Sequence, residues 1–258
     1  MRREAGVVVA LGRRALSVQF RRAQLLMPTF VLPLMLLAVI ASGTSAAQGL
    51  QGFPDIGSYL AFVVPGTIIQ GALLAGLTSG TALASDLEFG FFDRLLAAPV
   101  RRTSLVLGRQ AGTLGLSLLQ TVFFLLVAFL FGADFPGGIP ALLMTLVLAA
   151  ITAVGIGGLA SAIAIRTGSL SLMQSIFPFV FVLLFTAPAF FPRDLLVPEL
   201  RDFAEYNPLT YIVEAVRGML LDDSAIGDPL EGLAAAVLLA VATTALATLA
   251  LKNRLKTL

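Results

Sequence analysis

The chain has 258 residues, 58% of them hydrophobic and 12% charged, and a mean hydropathy of +0.95, which excludes an ordinary soluble globular domain. With no cysteine and no histidine, disulfides, thiolate chemistry, the usual general base and the commonest metal ligand are excluded as well. The isoelectric point near 9.4 does not point to nucleic acid, because the arginines sit beside the ends of apolar runs, where anionic inner-leaflet lipid attracts them.

The first element is basic. On a helical wheel Arg2, Arg3, Arg13, Arg14 and Arg21 share one arc, while Val7, Val8, Leu11, Ala15 and Val18 share another, the pattern of an interfacial helix over residues 1–25. It is too long for the charged region of an ordinary signal peptide, so an uncleaved first span is expected to follow. Six apolar runs each have about the 17–25 residues needed to cross a hydrocarbon core. They cover residues 26–43, 59–84, 108–131, 140–165, 170–191 and 230–251. With a cytoplasmic N-terminus, 14 of the 17 cations lie on the inner side, Arg193, Arg201 and Arg217 being the exceptions. The positive-inside rule therefore places both termini in the cytoplasm. The predicted fold is all-α, a single polytopic membrane domain over residues 1–258.

Between the second and third spans, residues 85–98 read as a short amphipathic helix. Ser85 and Glu88 have capping-box spacing, and Asp86 and Glu88 suit the positive end of a helix dipole. Phe91, Phe92, Leu95 and Leu96 fall on one face, with Asp93 and Arg94 opposite. Pro99 ends the helix, and Arg101 and Arg102 anchor the return to the membrane. Periodicity alone also fits a helix lying flat on the inner leaflet.

The inner link at Arg166 is only a few residues long and makes a tight hairpin of the fourth and fifth spans. Along the fifth, Gln174, Phe177, Phe181 and Phe185 share a stripe. The stripe could face a substrate path or simply pack against a neighbouring helix or lipid. Thr67, Gln70 and Gln120 are further polar candidates for a path. Gly76 and Gly80, like Gly108 and Gly112, have the spacing that permits close helix approach.

The external link, residues 192–229, contains Asn207-Pro208, a helix start with Asn as cap and Pro at the first position. The helix over residues 208–221 carries Tyr211, and Glu214 and Arg217 stand at i, i+3 spacing. It is too short to cross the membrane, so a partly re-entrant external helix is expected, with Glu214 and Arg217 paired against a cavity.

The absences are as informative. No ionisable side chain lies near mid-membrane, which argues against ion-coupled transport. The only lysines, Lys252 and Lys256, lie in the last seven residues, so a phosphate-binding Gly-Lys-Ser/Thr loop is excluded. Energy must come from another polypeptide.

The run Asp86-Leu87-Glu88-Phe89-Gly90-Phe91-Phe92-Asp93-Arg94-Leu95-Leu96-Ala97-Ala98-Pro99-Val100-Arg101, followed by Gly108-Arg109, resembles the cytoplasmic loop of type-2 ATP-binding-cassette exporter permeases. Asn207-Pro208-Leu209-Thr210-Tyr211 through Glu214 and Arg217 is similar to the external segment of the same family. The likeness covers the whole chain, and its nearest branch is the drug-resistance exporters similar to the daunorubicin permease. It implies that residues 85–98 form a coupling helix. Glu88, Gly90, Phe91, Phe92, Arg94, Leu95, Leu96 and Pro99 would then meet a cytoplasmic ATPase subunit, with Phe92, Leu95 and Leu96 filling its groove. It further implies two permeases, two ATPases carrying the ATP and Mg, no cofactor on this chain, and export across a bacterial cytoplasmic membrane. The cargo would be a hydrophobic drug or a lipid. The alternatives are a lipid-linked glycan or polymer exporter, or a membrane scaffold without transport.

Overall fold

The structure, a computed structural model, describes residues 2–21, 23–43, 59–92, 102–254 and 256. Among the described residues every long element is helical, as the polytopic reading requires. In chain order α1 is Arg2–Arg21, α2 Ala23–Gly43, α3 Tyr59–Glu88, α4 Arg102–Leu130, α5 Gly138–Thr167, α6 Leu170–Ser175 and α7 Phe177–Phe185. A 3-10 turn at Arg193–Leu195 leads to α8 (Pro198–Tyr206), α9 (Pro208–Leu221) and α10 (Pro229–Arg254).

Four helices are long and apolar enough to cross a membrane: α3, α4, α5 and α10. Among the described residues a fifth candidate is the pair α1 and α2, which reach that length and apolarity only together, across a bend of 71°. The fifth expected run, residues 170–191, is not one straight helix. It breaks at Ile176 and ends at Phe185, and the apolar helix Leu170–Phe185 is shorter than a full span. The reason lies in the sequence: Pro178 enters at the start of α7 and Pro188 follows its end, and neither can supply an N–H to a continuing helix.

Helix α3 is the axis of the bundle, with 94% of its apolar window buried. Its small residues set that position. A Cβ built at Gly76 would lie 2.7 Å from the Gly157 nitrogen, and one at Gly80 would lie 2.4 Å from the Ala160 Cβ. These contacts bring the backbones of α3 and α5 together, which lipid-soluble helices achieve through small side chains. On the other side α1 lies against α4 along a second small-residue seam. A Cβ at Gly108 would meet the Leu11 Cβ at 2.6 Å, and one at Gly112 the Ala15 Cβ at 2.6 Å. Both glycine spacings in the sequence therefore mark real helix contacts.

One in-helix proline has its consequence repaired by a buried polar side chain. Pro33 in α2 has no N–H for the carbonyl of Thr29, four residues earlier, and Gln120 Nε2 of α4 donates to that carbonyl at 3.2 Å. Close to Pro65 in α3, Arg217 Nε donates to the Phe62 carbonyl at 3.1 Å. A proline in a membrane helix is tolerated when neighbours satisfy the freed groups in this way.

The hairpin between α5 and α6 is as tight as expected. Gly168 closes α5 in the left-handed region at φ 63°, Ser169 caps α6 by accepting from the Leu172 N–H, and Arg254 Nη1 donates to the Ile165 carbonyl at 3.0 Å.

Candidate translocation path and coupling segment

At the inner end, residues 85–88 do not begin a new helix. They form the last turn of α3, where the Phe89 N–H donates to the Ser85 carbonyl at 3.0 Å. The expected capping box is therefore not made. Nothing at Ala84 stops α3; the stop is Gly90, whose φ of 69° suits glycine and terminates the helix. Glu88 is used elsewhere, its Oε2 accepting from the Leu170 N–H at the start of α6 at 3.0 Å. Arg94, Leu95, Leu96 and Pro99 lie outside the described residues.

Phe92 also departs from expectation. It is 4% exposed and packs into the chain's own core beside Leu11 of α1 and Leu105 of α4. In this conformation it cannot fill a partner's groove. Phe89, 75% exposed, is the aromatic that faces outward, and Phe91 lies under Arg14, whose guanidinium carbon sits 3.9 Å from the ring centroid. Nearby, Arg109 of α4 pairs with Asp86 at the end of α3 and donates to the Ser79 carbonyl at 3.3 Å. This ion pair ties together the two helices that flank residues 93–101. The sequence pattern does not assign Arg109 a partner, although opposite charges on helices joined by one short link are the available signal.

Above this tie a lateral groove of about 440 Å³ opens between α2, α3 and the α6–α7 arm. Pro28, Leu77, Thr78, Thr81, Gln174 and Phe177 are among its walls, and no charged residue lines it. The Thr78 hydroxyl is already spent on the Leu74 carbonyl and that of Thr81 on the Thr78 carbonyl. Thr29 likewise spends its hydroxyl on the Leu26 carbonyl, so Gln174, with the one amide, and Ser85 are the polar groups that an otherwise apolar lining offers among the described residues. From Phe177 the aromatic stripe becomes a ladder of rings. Centroid separations are 5.4 Å to Phe181, 6.4 Å on to Phe185 and 5.6 Å on to Phe190. Thr67, Gln70 and Gln120, also candidates for a path, are buried inside the bundle and do not line the groove. The Thr67 hydroxyl bonds the Val63 carbonyl, and Gln120 serves the proline break of α2.

At the outer end the helix over 208–221 forms as expected. Pro208 occupies its first turn, and Asn207 caps it by accepting from the Leu209 N–H at 3.0 Å. Tyr211 donates its hydroxyl to the Glu205 carbonyl of α8. The Asn207 amide nitrogen reaches across to the Leu183 carbonyl at 2.7 Å and the Thr186 hydroxyl at 3.1 Å. Arg217 is 1% exposed, so it faces no cavity. Its Nη2 donates to the Pro188 and Ala189 carbonyls at 2.9 and 2.7 Å, and its guanidinium lies 3.8 Å from the Phe62 ring centroid. Its hydrogen bonds go to main-chain carbonyls, and Glu214, half-buried one turn away, interacts with its charge. The Tyr59 hydroxyl completes the set by donating to the Phe190 carbonyl at 3.0 Å. The broken end of the fifth apolar run leaves carbonyls that lipid cannot satisfy, and Asn207, Arg217 and Tyr59 satisfy four of them.

A bundle of helices long and apolar enough to cross a membrane, with an uncharged groove open to its flank, is the frame of a polytopic membrane protein. The chain belongs to the ABC-2 type transporter family, whose profile matches residues 7–221; permeases of this family are the membrane components of transporters whose ATPase lies on separate subunits. It is 31% identical over 212 residues to the transport permease ycf38 of Porphyra purpurea, covering 81% of this chain and 72% of that one. The ycf38 protein of Cyanophora paradoxa is 30% identical over 162 residues, 62% of this chain and 56% of the relative. More distantly, it is 24% identical over 154 residues to the "Probable doxorubicin resistance ABC transporter permease protein DrrC" of Mycobacterium tuberculosis, covering 58% and 56% of the two chains.

Proposed function

We propose that this permease is the membrane subunit of an ATP-driven exporter that moves an amphiphilic cargo, a hydrophobic drug or a lipid, out of the inner leaflet. The observation that carries the reading is the uncharged groove between α2, α3 and α6–α7, continued by the Phe177–Phe181–Phe185–Phe190 ladder. An apolar lining with a single amide suits a greasy solute with one polar group, whereas it has little means of desolvating a multiply charged one. The name of the mycobacterial relative, with its doxorubicin resistance, supports the same cargo class. Two permease copies, or one copy and a related permease, work with two cytoplasmic ATPases that hold ATP and Mg. The termini are cytoplasmic and the membrane is the bacterial inner membrane. Residues 93–101, together with the exposed Phe89, make the ATPase contact.

The test is export in liposomes containing the permease and its ATPase. Phe181→Ala should change the preference among amphiphilic drugs and fluorescent lipids more than it changes basal ATP hydrolysis. Equal export of every amphiphile by variant and wild type removes the ladder from the path. Efficient export of a small polyanion alone overturns the cargo class.

A further inference from the structure

The two long faces of α1 have different surroundings. One, with Leu11, Gly12, Ala15 and Leu16, is packed on Gly108, Ala111, Gly112 and Gly115 of α4. The other is exposed and carries Arg13, Arg14 and Arg21. Along the edge of that exposed face stand two large apolar side chains, Val9 at 59% and Phe20 at 51% exposure. Eleven residues apart, they are about three turns from one another and point the same way. A basic strip bordered by protruding apolar side chains is suited to the zone where headgroups meet acyl chains. The 71° bend after α1 takes this helix out of line with the first span at its inner end, on the side to which the cations assign the cytoplasm.

We infer that this face of α1 binds anionic phospholipid of the inner leaflet, with Arg13 and Arg21 taking the headgroups and Val9 and Phe20 entering the acyl boundary. Arg14 passes the state of α1 to the ATPase-facing link, because its guanidinium lies on Phe91 just after the α3 stop. Behind it, Gln19 of α1 is 3% exposed and lines the same small cavity as Asp86, Phe92 and Arg109. A shift of α1 therefore disturbs the root of that link directly. The lipid contact stands on its own, while its effect on coupling rests on the exporter reading.

The experiment exploits the absence of cysteine. Ser17, on the exposed face, is changed by Ser17→Cys and labelled with a fluorophore. The permease alone is then placed in phosphatidylcholine vesicles containing a trace of spin-labelled phosphatidylglycerol or spin-labelled phosphatidylcholine. Quenching should favour the anionic quencher severalfold, fall with salt, and drop by about fivefold for each of Arg13→Gln and Arg21→Gln, the worth of one basic residue at an acidic surface. Equal quenching by both lipids overturns the inference, as does quenching by neither. In the complex with the ATPase, adding phosphatidylglycerol should raise cargo-stimulated hydrolysis in wild type but not in the Arg13→Gln/Arg21→Gln variant, whose rate in pure phosphatidylcholine should equal that of wild type. Selective quenching with hydrolysis indifferent to phosphatidylglycerol would overturn the coupling role while leaving the exporter reading to the transport assay.

Discussion

Replacing Arg217 by methionine removes the donors but leaves every acceptor in place. The Phe62, Pro188 and Ala189 carbonyls stay buried, since no side-chain change can delete them. Exchanging a buried ion for a well-packed apolar side chain is often neutral when the partner is replaced too, but here the partners are main chain. At about 1–2 kcal/mol for each of the Pro188 and Ala189 carbonyls left without a donor, the loss is about 2–4 kcal/mol. The lost contact with the Phe62 ring adds to that figure. For a chain of this size 1 kcal/mol moves the melting temperature by about 2–4 °C, so Arg217→Met should melt roughly 4 °C below wild type at the least. Arg217→Lys keeps the charge but loses the planar fork that reaches carbonyls on α3 and on the turn after α7, and should fall between the two. The assay is thermal unfolding of the purified permease in one detergent, followed by the fluorescence of a thiol-reactive dye on a buried cysteine introduced by Ala149→Cys in all three proteins. A melting temperature for Arg217→Met within about 2 °C of the Arg217 parent would refute the assignment of Arg217 as the donor that closes the broken fifth run.

Four further outcomes follow from the geometry. Phe92→Asp should damage folding of the permease itself, whereas Phe89→Asp should leave melting unchanged and weaken copurification of the ATPase; the reverse pattern would restore Phe92 as the docking residue. Gly112→Leu should push α1 off α4 by collision with Ala15, read as faster tryptic cleavage at Arg13 and Arg14 in the variant. Asp86→Arg or Arg109→Asp alone should uncouple cargo from ATP hydrolysis, and the double exchange should restore coupling in part, which a role in packing alone would not produce. A cysteine at Asp194 should label from outside the membrane and one at Thr103 only from the cytoplasm; external labelling at Thr103 would invert the topology.

Much of this architecture was legible in the sequence because the bilayer leaves few choices. Apolar length carried the long helices of the bundle, and Asn207-Pro208 carried the start of α9 to the residue. The misreadings have a common physical origin. Ser85-Asp86-Leu87-Glu88 has the spacing of a capping box, but capping requires that the preceding helix has stopped, and Gly90 is the residue that stops it. Arg217 and Glu214 share a helix face, but that spacing gives no sign that the hydrogen bonds of Arg217 go to carbonyls of α3 and of the segment after α7. Gln120 and Thr67 look like path residues in a list of polar positions, whereas the need for Gln120 arises at Pro33, on another helix. A one-dimensional pattern records which groups need partners; it does not say which distant group will serve.

That distinction bears on how the bundle could move. Among the described residues charged ties stand at the two ends, Asp86 with Arg109 at one and Arg217 with the carbonyls of the broken run at the other. Between them α3 meets α5 through Gly76 and Gly80 against Gly157 and Ala160, a contact of backbone and small side chains with little interdigitation to resist sliding. The α6–α7 arm is the part of the groove wall least fixed to that axis, since its outer end is held by hydrogen bonds rather than by a continuous helix. A change in α3 at the inner ion pair therefore reaches the groove through α3 itself, and reaches the outer end of the arm through Phe62 and Arg217. Such a path needs no ionisable group in the middle of the membrane. Charge at the two ends holds the geometry, and the apolar surface between them is left for the cargo.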